Sequence, residues 1–186
     1  MDATKNSSPM DRARERSLVD RARSDPAAAG ELYDFYLPRL YGFILRRVQE
    51  PSVAEELTAM TFQRALETVR NREFRSGTFG AWLYRVAANA IVERLHNGER
   101  VVSLAMTDGP VRDAFAAAID RDELKTAIAG LSGQRREALI LRFYDDLNAD
   151  EAAAVLGCTR ATFAVRLQAA IGALVGAGNG GATDAA

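Results

Sequence analysis

One pattern constrains the fold more than any other. Apolar residues return every three to four positions, and no long strand-like alternation rich in Val, Ile and Thr competes with them. The clearest case follows Ser24-Asp25-Pro26. Asp25 suits a helix N-cap and Pro26 the first turn. Tyr33, Leu37, Leu40, Tyr41, Ile44 and Val48 then share one broad face. Glu50-Pro51-Ser52 breaks the run, with Ser52 as the expected cap of the next helix. That helix ends near Val69 and turns Leu57, Phe62, Ala65, Leu66 and Val69 inward. A short helix over residues 18–23 precedes both. A polar loop, RNREFRSGT, leads into a third long helix from about Phe79, carrying Trp82, Leu83, Val86, Ala90 and Leu95.

After Asn97-Gly98 the periodicity weakens, and GERVVSLAMTDGP reads as a tether. Helical character returns from Val111 through Leu124 and Ile128 to Gly130, and again in GQRREALILRFYDD. Two shorter helices follow, and the tail GAGNGGATDAA is glycine-rich. The expected fold class is all-α: two small helical domains joined by a linker, the C-terminal one with a helix-turn-helix. The expected bounds are a disordered tail over 1–17, a first domain over 18–97, a linker over 98–118, a second domain over 119–175 and a disordered tail over 176–186. A chain of 186 residues has room for two small domains.

Bulk chemistry narrows the function. No apolar run reaches the length of a membrane span, and MDATKNSSPMDRARERS has no apolar core after its charges, so it is not a secretory signal. A cytoplasmic protein is expected. The single cysteine, Cys158, excludes an internal disulfide, and no Cys/His cluster points to zinc. His96 is the sole histidine, with no phosphate loop and no paired-carboxylate motif, so neither an enzyme nor a cofactor is expected. The net charge is −1, without the basic excess of a strong nonspecific nucleic-acid binder. Any DNA binding must therefore rest on local patches or on a partner's charge.

Three constellations stand out. In NADEAAAVLGCTRATFAVRL, Asn148 suits the cap of one helix, Ala153 a close crossing, Gly157 a left-handed turn and Thr159 the cap of a second helix. Phe163 and Leu167 face inward, leaving Arg160, Ala161, Ala164, Val165 and Gln168 outside. A second helix so placed enters the major groove by its N-terminal end; an ordinary buried hairpin has the same spacing. From Thr159 to Leu174 the charged residues are Arg160 and Arg166 alone. In RNREFRSGTFGAWLYRVAAN, arginines (Arg70, Arg72, Arg75, Arg85) lie among aromatics (Phe74, Phe79, Trp82, Tyr84), with Asn89 one turn after Arg85. Charge for a backbone and flat faces for unstacked bases suit single-stranded nucleic acid; a core tryptophan beside a solvated loop is the plainer alternative. In AEELTAMTFQRALETV, Glu55 and Glu56 sit where the helix dipole favours acids, or form an acidic face for a basic partner.

In order along residues 18–174, these segments resemble the extracytoplasmic-function group of bacterial RNA polymerase sigma factors. LVDRARSDPAAAGELYDFYLPRLYGFILRRV is similar to the family's opening helices and AEELTAMTFQRAL to its polymerase-clamp helix. FGAWLYRVAAN is similar to its promoter-melting helix, and LSGQRREALILRFYDDLNADEAAAVLGCTRATFAVRL to its upstream-element reader. The resemblance implies a factor that binds core RNA polymerase, directs it to promoter DNA and opens the duplex, with an anti-sigma regulator among its partners. It implies polymerase contacts at Glu55, Glu56, Leu57, Phe62 and Arg64. Downstream-element contacts are implied at Arg72, Arg75, Trp82, Arg85 and Asn89, and upstream-element contacts at Thr159, Arg160, Thr162, Arg166 and Gln168. The departures are Ala59 and Met60 in the clamp helix, Ala88, His96 and Asn97 in the melting helix, and Ala164, Gln168, Ala169 and Ile171 in the reader, where polar or basic residues are usual. The alternative is a sigma-like interaction protein that docks through Ala161, Ala164, Val165, Ala169 and Ile171 and makes little DNA contact.

Overall fold

The structure, a computed structural model, describes residues 10–74, 77–96, 114–115 and 119–180. Every regular element among the described residues is helical. The chain divides into two compact units, Met1–Leu104 and Ala105–Ala186.

The first unit holds α1 (Arg12–Arg21), α2 (Pro26–Val48), α3 (Pro51–Arg70) and α4 (Phe79–His96). α2 packs on α3 and α4, α3 on α4, and α1 against α2 and α4. α1 begins inside the segment expected to be a disordered tail. The Asp11 carboxylate accepts from the Arg14 amide at 3.3 Å, and Leu18 and Val19 anchor the helix in the core. It ends at Arg21, with its C-cap at Ala22, rather than at residue 23. α2 opens as its sequence implies, with Pro26 in the first turn and the Asp25 carboxylate accepting from Ala27 N at 2.9 Å. The side-chain hydrogen bond from Arg21 holds the Asp25 carboxyl below its ordinary range.

The buried face of α2 is Ala28, Ala29, Leu32, Tyr36, Leu40, Phe43 and Ile44. Leu40 and Ile44 belong to the expected face, but Leu37, Tyr41 and Val48 are half-buried and Tyr33 is exposed. This helix is apolar around much of its girth, so two stripes compete at helical spacing. The winner pairs two small alanines with Tyr36 and Phe43, whose rings reach Phe79 (5.5 Å between centroids) and Tyr84 (5.3 Å) on α4. In α3, Pro51 takes the first turn and Glu50 is the cap residue. Ser52 therefore lies inside the helix and donates to Glu50 Oε1 at 2.8 Å instead of capping. The buried hydroxyls of Thr58 and Thr61 donate to the carbonyls of Ala54 (2.6 Å) and Leu57 (2.7 Å), which satisfies them within the helix.

The second unit holds α5 (Arg121–Gly130), α6 (Gly133–Leu139), a π-helical turn over Ile140–Tyr144, α7 (Ala149–Val155) and α8 (Arg160–Gly180). α8 packs on α5, α6 and α7 around Leu124, Leu139, Leu141, Ala152, Phe163, Ala170 and Leu174. Two expected bounds move. Phe115 and Ile119 are buried, and the Phe115 ring meets Phe143 at 5.7 Å, so this end of the expected linker belongs to the second unit. α8 continues to Gly180, past the expected start of the tail at residue 176, because extending an anchored helix is far cheaper than starting one. The rest of the expected linker and residues 181–186 lie outside the described residues.

Candidate functional site

The outer face of α3 presents Glu55, Glu56, Ala59, Met60, Gln63, Arg64 and Glu67 to solvent. Of the expected polymerase contacts, Glu55, Glu56 and Arg64 are on this face. Leu57 (2 % exposed) and Phe62 (3 %) are not: both point into the core, and the Phe62 ring sits 4.7 Å from that of Tyr33. In the free chain neither side chain reaches a surface, so Glu55, Glu56 and Arg64 are the outward members of the expected set. Glu56 Oε1 accepts from Arg94 of α4 at 3.0 Å, which ties the two helices together at the surface. Beside this face, Met60, Thr61, Gln63, Arg64 and Glu67 of α3 and Val86 and Ala90 of α4 line an open groove of about 230 Å³.

On α4, Trp82, Arg85 and Asn89 follow at i, i+3 and i+7 and so share one side of the helix. Arg85 and Asn89 are exposed, and Trp82 is half-buried. Its indole rests against Phe79 (6.4 Å) and Phe74 (6.2 Å), which leaves one part of the ring toward solvent. Phe79 and Tyr84 are fully inside, so of the four aromatics in this segment Trp82 and Phe74 are the accessible ones. Arg72 is exposed in the preceding turn with a left-handed backbone (φ 59°). Arg75 lies outside the described residues.

The first turn of α4 has a partner that sequence reading missed. Glu15 of α1, 6 % exposed, accepts on Oε1 from Gly80 N at 2.8 Å and from the Tyr36 hydroxyl at 2.5 Å. Thr78 Oγ1 accepts from Ala81 N at 3.3 Å. No local pattern announces Glu15, because its acceptor role joins residues 65 positions apart.

The second unit carries the helix-turn-helix. Asn148 accepts from the amides of Asp150 and Glu151, and Glu151 returns a bond from the Asn148 amide at 2.8 Å, a complete capping box. Gly157 is left-handed (φ 60°), as the turn requires. Thr159 Oγ1 accepts from Thr162 N at 3.1 Å, so both threonines are engaged in starting α8. Phe163, Ala170 and Leu174 face the core and Leu167 is half-buried. Outward lie Arg160, Ala161, Thr162, Ala164, Val165 and Gln168, with Val165 69 % exposed. Arg166 is half-buried. Six positions from Arg160, it sits about 120° around the helix, so the two arginines flank an uncharged centre. Ala169 and Ile171, expected in an exposed apolar row, are half-buried.

Comparison with known proteins finds a family match in each unit. Sigma-70 region 2 matches residues 32–101, and sigma-70 region 4 matches residues 121–174. The ECF RNA polymerase sigma factor BldN of Streptomyces coelicolor is 33% identical over 158 residues, 79% of this chain, which spans 59% of BldN's length. The RNA polymerase sigma factor CarQ of Myxococcus xanthus is 32% identical over 134 residues, covering 68% of this chain and 75% of CarQ. The structure of CnrH in complex with the cytosolic domain of CnrY shares the fold: TM-score 0.58 at 21% identity, over 88% of this chain and 96% of that one. The chain belongs to the RNA polymerase sigma factors, and within them to the extracytoplasmic-function group.

Proposed function

We propose that this protein binds core RNA polymerase, directs it to a promoter and opens the DNA there, acting by binding and without a catalytic step of its own. The observation that carries this reading is the set of surfaces in the first unit. An outward α3 face carrying Glu55, Glu56 and Arg64 adjoins an α4 face carrying Trp82, Arg85 and Asn89. The α3 face takes the polymerase. On α4, a half-exposed indole flanked by Arg85 and Asn89 supplies a stacking surface with polar arms, which suits an unpaired base and its backbone. Arg72 extends that surface from the preceding turn; Arg75, expected to act with it, lies outside the described residues.

α8 meets the upstream element with Arg160 and Gln168 outward, Thr159 and Thr162 at its start and Arg166 on one flank. Its charge is low, and tethering to polymerase supplies the difference: a domain held near its site works at an effective concentration up to about millimolar. An anti-sigma regulator, which would act by covering these faces, and a cytoplasmic location follow from the same reading. The exposed Ala161, Ala164 and Val165 favour a second reading, an interaction protein that docks this helix on a partner and makes little DNA contact. Run-off transcription with core polymerase separates the two. Core binding with initiation on a selected promoter is the expected result; failure of both overturns the proposal, and core binding without upstream-element dependence favours the second reading.

A further inference from the structure

We infer that Glu15 is a positioning residue for promoter opening. Its buried carboxylate fixes the first turn of α4, and through it the Trp82–Arg85–Asn89 face, against α1 and α2. The inference rests on the proposed reading of α4 and concerns a residue outside every expected contact set.

Glu15 lies between Arg14 and Arg16 on a short helix whose other charged residues are exposed. A carboxylate withdrawn from water needs compensation, and here one oxygen receives both an amide and a hydroxyl. The amide of Gly80 is among the first N–H groups of α4, which have no partner within their own helix. A carboxylate at that end also opposes the positive pole of the helix dipole. A local N-cap would satisfy the same amide without reaching across the unit. An acceptor supplied from α1 does something a local cap does not: it fixes where the helix end sits, not only that the helix forms. The contact continues along one physical path. The hydroxyl that Glu15 holds belongs to Tyr36, whose ring lies 5.5 Å from Phe79, and Phe79 lies 6.4 Å from Trp82. Removing the acceptor takes one partner from the Gly80 amide and one from the Tyr36 hydroxyl, at the two ends of this path.

The test uses the full chain assembled with core polymerase. Glu15→Ala, Glu15→Gln and Tyr36→Phe are compared with Val53→Ala, a core truncation on α3 remote from this contact; urea or temperature is used to bring the variants to equal folded stability. Core affinity is measured by titration, and opening by permanganate reactivity of unpaired thymines. Glu15→Ala is expected to keep core affinity and to slow opening about tenfold, the scale of one charge-assisted hydrogen bond. Glu15→Gln, which keeps an acceptor oxygen, recovers most of the rate. Tyr36→Phe, which keeps the Gly80 contact, shows a smaller loss, and it serves as the folded probe should Glu15→Ala fail to fold. Equal opening defects in Glu15→Ala and Val53→Ala at matched stability overturn the inference, as does wild-type opening by both Glu15→Ala and Tyr36→Phe. If Trp82→Ala also opens promoters normally, the reading of α4 itself falls; if Trp82→Ala is defective, only the role of Glu15 does.

Discussion

Ala164→Lys places an ammonium on the outward side of α8, one turn beyond Arg160 and beside Ala161 and Gln168. Ala164 is exposed, and lysine is nearly as good a helix former as alanine, so the change adds charge with little effect on the fold. Between Thr159 and Leu174 the helix has two charged residues, Arg160 and Arg166. If both reach phosphates, they contribute about 1.8 to the logarithmic salt slope of promoter binding, and a third contact raises that to about 2.7. Between 50 and 200 mM salt the α8 contribution would then fall about 40-fold instead of about 12-fold. Promoter binding by the holoenzyme, followed by fluorescence over that salt range, reads the difference directly. Ala164→Leu controls for bulk, and Ala129→Lys, on the exposed side of α5, controls for net charge. The expected result is tighter binding at low salt and a steeper slope for Ala164→Lys alone. An unchanged slope, or an equal rise from Ala129→Lys, would refute the argument that this face of α8 meets DNA.

Other expectations follow from the same geometry. Phe62→Ala lowers folded stability by about 3–5 kcal/mol in urea unfolding, whereas Arg64→Ala leaves the unfolding midpoint in place and weakens binding to core polymerase. Gly157→Ala, at a left-handed backbone with open space around it, costs about 1–2 kcal/mol by the same measurement. The Asp25 carboxyl titrates below its ordinary value of 3.8, held there by Arg21. Because the folded value is depressed, its contribution to stability is complete above the unfolded value and disappears as pH falls through the folded one. An NMR titration should show the carboxyl returning toward 3.8 in Arg21→Gln.

The all-α architecture and the helix-turn-helix were legible because each special position in them has its own chemical mark. Asn148, Gly157 and Thr159 occupy their places through bonds and dihedrals that depend on a few neighbouring residues. Residues whose role depends on distant elements were harder to read. Leu57 lies seven residues before the exposed Arg64 and Phe62 seven after the exposed Glu55, so each nearly shares a side of the helix with a surface residue, and only packing against the neighbouring helices covers one and not the other. The α2 face was ambiguous because two apolar stripes fit its period, and only the rings of α4 choose between them. Glu15 was hidden most completely. A glutamate between two arginines reads as surface, and its partners Tyr36 and Gly80 come from other helices.

The π-helical turn over Ile140–Tyr144 has a consequence for how such a chain varies in length. The Asp145 amide reaches back five residues to the Ile140 carbonyl at 3.1 Å, and the Leu147 amide six residues to Leu141 at 2.9 Å. The chain thus takes up a surplus residue here without opening a gap, since Ile140, Leu141 and Leu147 all stay buried. A residue gained or lost within α8 would rotate every later side chain by about 100° and exchange core for surface. At this turn the same event changes only the width of one loop of backbone. A one-residue insertion engineered at this turn is therefore expected to leave α8 and its packing face in register.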